Sequence, residues 1–144
     1  MSAGPVFQVT FDAADPQRLG GFWADVLGYV VQPPPEGFDS WDAFLDSIDW
    51  PADERDTLWA IVDPDGVRPR LLFQQVPEGK TAKNRVHLDV NVGAGAAPDE
   101  RRAVVRAEAD RLIGLGAVEE READENGQHW IVLHDVEGNE FCVQ

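Results

Sequence analysis

Cysteine is nearly missing from this chain: Cys142 is the single one in 144 residues, so no internal disulfide can form and a reducing compartment is expected. Basic residues are scarce as well. Lys and Arg number 12 against 27 Asp and Glu, giving a net charge of −15 at pH 7. Such a surface repels phosphate backbones, which excludes nucleic-acid binding. No apolar run approaches the ~20 residues that span a bilayer, and the opening Met1-Ser2-Ala3-Gly4-Pro5 lacks the basic and apolar regions of a secretory signal. The expectation is a cytoplasmic protein with no membrane partner. What is present excludes disorder: 43% of residues are hydrophobic, among them five Trp and seven Phe. The acids are spread along the chain rather than gathered in a tail, which reads as solvation.

Phe7, Val9 and Phe11 alternate with Gln8, Thr10 and Asp12, the period of a strand over residues 6–11 with one face in a core. Asp15-Pro16 opens a helix carrying Leu19, Phe22, Trp23, Val26 and Leu27 at helical spacing, and Gly28 stops it. A strand over 29–32 ends at Pro33-Pro34-Pro35. Residues 36–56 shift to Asp, Trp, Phe and Pro, with a short helix expected from Ser40 to Ile48. Strands over 58–62 and 70–76 flank Asp63-Pro64-Asp65-Gly66, a hairpin with turn chemistry. Residues 77–84 read as a polar linker in which Lys80, Lys83 and Asn84 tie two halves together. A strand over 85–92 sets Val86, Leu88 and Val90 on one face and His87, Asp89 and Asn91 on the other. A helix over 98–115 repeats Val104, Val105, Leu112 and Leu115 and stops at Gly116. Three short strands follow over 117–122, 128–133 and 140–143.

The halves repeat: strand, helix and three strands, with Leu27-Gly28 answered by Leu115-Gly116 and Asp63-x-Asp65-Gly66 by Asp135-x-Glu137-Gly138. The stretch from Gly28 to Asp63 is about sixteen residues longer than its counterpart, which marks residues 36–56 as an insertion, mapping to a loop or lid.

Asp15-Pro16, Phe22-Trp23, Leu27-Gly28, Phe73-Gln74-Gln75-Val76-Pro77, the run from Lys83 to Asp89 and the run from Asp135 to Val143 together resemble the vicinal oxygen chelate superfamily, in particular its small bacterial glyoxalase-like (glyoxalase/bleomycin-resistance/dioxygenase) domains. The resemblance implies an α+β fold in which two βαβββ modules form a curled, open barrel-like sheet with helices packed outside. Residues 1–144 would be one such domain, with a first module at 6–76, a linker at 77–84 and a second module at 85–144. It also implies four metal-holding positions in a shared cleft, which correspond here to Gln8, His87, Gln74 and Cys142. Neutral amides and a thiol make a poor cage for hard divalent ions, so neither a metal nor another cofactor is expected.

The expected function is binding of a small organic molecule in the cleft; the alternative is a metal-dependent lyase, isomerase or dioxygenase with an atypical ligand set. His87 with Asp89, two residues along on the same face, forms a candidate general-base pair. Gln8, Thr10, Gln74, Glu140 and Cys142 are expected to line the cleft, although a lone Cys in a terminal strand also reads as a small buried hydrophobe. Trp41 and Trp59 would wall the ligand from the aromatic insertion. His129 and His134 have opposite parity on one strand, and the resemblance points His129 inward. Proteins of this kind commonly pair, so a homodimer is expected.

Overall fold

The computed structural model describes residues 3–144; residues 1–2, on which part of the leader reading falls, lie outside the described residues. The chain divides into two compact units, Met1–Gly79 and Lys80–Gln144.

In the first unit, β1 (Val9–Ala13) leads to α1 (Pro16–Leu27), β2 (Val30–Val31), α2 (Trp41–Ser47), a 3-10 turn at Ala52–Thr57, β3 (Leu58–Val62) and β4 (Leu71–Gln75). The sheet order is β1-β4-β3-β2, parallel between β1 and β4 and antiparallel elsewhere. Asp15 caps α1 by accepting from the Arg18 N–H at 3.1 Å, and Gly28 closes it at φ 67°. The apolar face of α1 buries Leu19, Phe22, Trp23 and Val26. Trp23 packs on Phe11, which packs in turn on Phe73, at ring distances of 5.4 and 5.0 Å. Gly20 lets α1 lie close against β3, since a Cβ there would strike the Trp59 ring.

The second unit repeats the plan with β5 (Asp89–Val90), α3 (Arg101–Gly114), β6 (Val118–Glu125), β7 (Gln128–His134) and β8 (Glu140–Val143), in the order β5-β8-β7-β6. Each unit is thus an open four-stranded βαβββ sheet, and the α+β class is as expected. The repeat extends to the turns: Asp63 accepts from the Asp65 N–H at 3.1 Å, and Asp135 from the Glu137 N–H at 2.9 Å.

Three expectations need correction. The first strand starts at Val9, because its neighbour β4 starts at Leu71, and Phe7 is left 66% exposed rather than in the core. The strand expected over 85–92 contracts to Asp89–Val90, which pair with Cys142 and Val143 of β8, and Val86 is exposed. The buried stripe of α3 is Val105, Ala109 and Leu112, while Leu115 lies past its end and is partly exposed. Among the described residues, no helix is long and apolar enough to cross a membrane.

Candidate functional site

Even-numbered residues of β4 point away from α1, because Leu71 and Phe73 take the buried helix-facing side. The insertion folds over part of that free face. Ser40 caps α2 by accepting from the Ala43 N–H at 3.0 Å, and the Trp41 indole N–H donates to the Gln32 carbonyl at 2.7 Å, fastening the helix to the end of β2. Arg55 clasps the 3-10 turn to α2 through Asp46 at 2.6 Å and Asp42 at 3.3 Å. Phe44 meets Trp41 and Phe38 edge-on at 5.9 and 5.3 Å.

Beneath α2 lies a cavity of about 540 Å³, with Trp41, Phe44, Leu45 and Trp50 on the insertion side and Leu58, Ala60 and Leu72 on the strand side. Its volume falls within the usual span of small-molecule pockets. Trp41 and Trp59 both line it; Gln8, Thr10 and Gln74 do not. Gln8 precedes β1 and accepts from Arg70 at 2.9 Å, while Gln74 donates to Asp12 at 2.8 Å, its ladder partner across β1. Arg70 and Gln32, which the sequence reading passed over, line the cavity. The available signal was parity, since Arg70 shares the face of Leu72 and Gln74.

In the second unit, Asp89 faces Cys142 across the β5–β8 ladder. His87 Nδ1 lies 2.8 Å from Asp89 Oδ1, so the expected pair is in direct contact and Nε2 is the ring nitrogen that Asp89 does not engage. Burial and the neighbouring Asp89 carboxylate push the Cys142 thiol up to about 11. Glu140, on the same face of β8, accepts from the Asn84 N–H at 2.9 Å and pairs with Lys80 at 3.1 Å. Lys80 and Asn84 therefore act within the second unit. His87, Asp89, Glu140 and Cys142, with Trp130 and Arg121, line a cavity of about 330 Å³.

His129 does not belong to this group. Gln128, Trp130 and Val132 face the cavity, so His129 takes the opposite parity with buried Ile131 and Leu133. It sits between Glu122 at 3.3 Å and Asp124 at 3.5 Å, and Arg102 of α3 reaches Asp124 at 2.5 Å. The inward reading of His129 is overturned by strand parity. His134 has the cavity-facing parity and lies 3.3 Å from Glu120.

Among the described residues one donor set fits a cation: the ligand atoms of His87, Asp89 and Cys142 lie within 4.8 Å of one another. Imidazole, carboxylate and thiolate together suit a borderline ion such as zinc better than magnesium or manganese. Asp89 supplies the charge that two glutamines could not.

The family model for the glyoxalase-like domain matches residues 8–144, nearly the whole chain. The chain belongs to the glyoxalase-like domain family. It is a member of the vicinal oxygen chelate superfamily, and solved structures share the fold. The fosfomycin resistance protein FosX from Mesorhizobium loti is 12% identical with a TM-score of 0.63, over 99% of this chain and 92% of that one. A glyoxalase/bleomycin resistance protein/dioxygenase family enzyme from Burkholderia phytofirmans is 17% identical at 0.60, over 94% of each. Lactoylglutathione lyase from Agrobacterium tumefaciens is 15% identical at 0.57, over 99% and 93%. At these identities the likeness concerns the fold. Among curated proteins no sequence matches.

Proposed function

We propose that this glyoxalase-like chain binds a small organic molecule of largely apolar body in the cavity beneath residues 36–56. The observation that carries the reading is the cavity itself: about 540 Å³, walled by three tryptophans and Phe44, and roofed by a helix that is capped and clasped in place. Aromatic walls suit flat ligands. The second unit carries candidate chemistry of its own, with His87 oriented by Asp89 as a base. A thermal-shift screen of aromatic metabolites and antibiotics tests the reading, because a ligand at 100 times its Kd stabilises the fold by about 2.7 kcal/mol. Hits that lose their effect in Trp41→Ala are expected; no hit across a broad panel counts against binding.

The His87, Asp89 and Cys142 cluster favours a second reading, a metal-dependent lyase, isomerase or dioxygenase. The three residues would hold the ion, which when bound polarises a substrate oxygen. Cys142 must give up a proton to ligate, so affinity would rise with pH. Metal analysis of protein purified without a histidine tag separates the readings: stoichiometric zinc that is lost in His87→Ala supports the second, and metal-free protein the first. Either way we place the chain in a reducing compartment as a homodimer, for which light scattering should give twice the 15.9 kDa of one chain.

A further inference from the structure

Residues 1–79 hold four arginines, no lysine and fourteen acids, so a cation in this unit has many carboxylates to choose from. Arg55 takes Asp42 and Asp46, and Arg68 takes Asp63 while stacking over Tyr29 at 4.6 Å. Arg70 takes none. Its Nε donates to Gln32 Oε1 at 2.8 Å and its Nη1 to Gln8 Oε1 at 2.9 Å, and no carboxylate of the described residues pairs with it. Two neutral amide oxygens hold the guanidinium in place without cancelling its charge.

Arg70 is half-buried in the cavity wall beside Leu72. A partly desolvated cation against apolar neighbours is costly unless an anion meets it. The Nη2 edge is the one left over, and a planar oxyanion matches the guanidinium fork. A second donor of the same wall, the Trp59 indole N–H, is buried without an acceptor. The acids that line the cavity, Asp42, Glu54 and Asp56, are all exposed, and Asp42 already serves Arg55. The inner wall therefore offers donors in excess of acceptors.

We propose that the ligand of this cavity is an aromatic carboxylic acid, its ring system held among Trp41, Phe44 and Trp50 and its carboxylate received by Arg70, which Gln8 and Gln32 position. The inference rests on the cavity being a ligand site and specifies what enters it.

Three probes of one shape separate the possibilities in a calorimetric titration: 2-naphthoate, 2-naphthamide and 2-naphthylmethylammonium. The carboxylate should bind at least tenfold tighter than the amide, and the ammonium weakest. In Arg70→Gln the carboxylate and the amide should bind alike, with near-ultraviolet circular dichroism reporting that the fold is intact. Arg70→Lys, which keeps the charge but loses the fork, should retain part of the preference. Equal affinity of carboxylate and amide in the wild type, or preference for the ammonium through Glu54 and Asp56, would overturn the anion assignment while leaving the cavity a ligand site. No binding of any probe would overturn the cavity reading and the inference with it.

Discussion

Glu140 ties the segment before β5 to the last strand, through the Asn84 N–H and the Lys80 ammonium, which also reaches the Ala82 carbonyl. Burial pushes its carboxyl up, but the hydrogen bonds from Asn84, from its own backbone and from Lys80 prevail and hold it at about 2. A carboxylate lowered on folding stabilises fully above its ordinary range, and that contribution is lost as pH falls from about 4.5 toward about 2. Urea midpoints measured from pH 7 to pH 2 should therefore fall less steeply in Glu140→Gln than in the wild type; parallel profiles would show that the bonds contribute nothing. Asp63 and Asp124 are also lowered, chiefly by Arg68 and Arg102 hydrogen bonds, so part of the acid sensitivity remains in the variant. At this scale the sequence was informative wherever parity sufficed. The contact of His87 with Asp89 was legible from their spacing of two, although His87 lies just before β5, whereas the placement of His129 depends on which face of β7 the helix α3 covers, a fact that no single strand contains. Arg70 stayed hidden because an arginine reveals itself by the partner it lacks, and partners are a tertiary property.

The elements themselves were largely legible, because capping and turn residues mark their ends. Asp15-Pro16 with Gly28 bounds α1, Ser40 starts α2, and Asn126-Gly127, both at positive φ, joins β6 to β7. Strand lengths were less legible where a strand needs a neighbour: β1 is cut to the extent of β4, and β5 keeps only the two residues that pair with Cys142 and Val143. Helix α1 anchors the first unit, and Phe22 is 5% exposed on its buried face. Phe22→Ala should lower unfolding stability by about 3–5 kcal/mol in urea titrations; an unchanged midpoint would mean the helix packs another way. Helix α2 is short, with no buried residues, and depends on its cap and on Arg55. Ser40→Ala should cost about 1 kcal/mol of helix stability. Hydrogen exchange is the measurement, with faster exchange over residues 41–47 and little change in α1.

For the chain as a whole, duplication explains why two units of different length share one plan, and the insertion explains where they differ. The charge of −15 keeps the surface solvated without specifying a ligand. Family membership was legible because its motifs recur in order in both halves. The cavity was not, because it exists only once residues 36–56 have folded onto β3 and β4. The account stands or falls on what occupies that space. The most direct measurement is a crystal structure of the protein soaked with its tightest aromatic ligand. Density is expected between Trp41 and Leu72, with the polar end of the ligand at Arg70. Well-ordered ligand elsewhere, with the space beneath α2 filled by collapsed side chains, would contradict it.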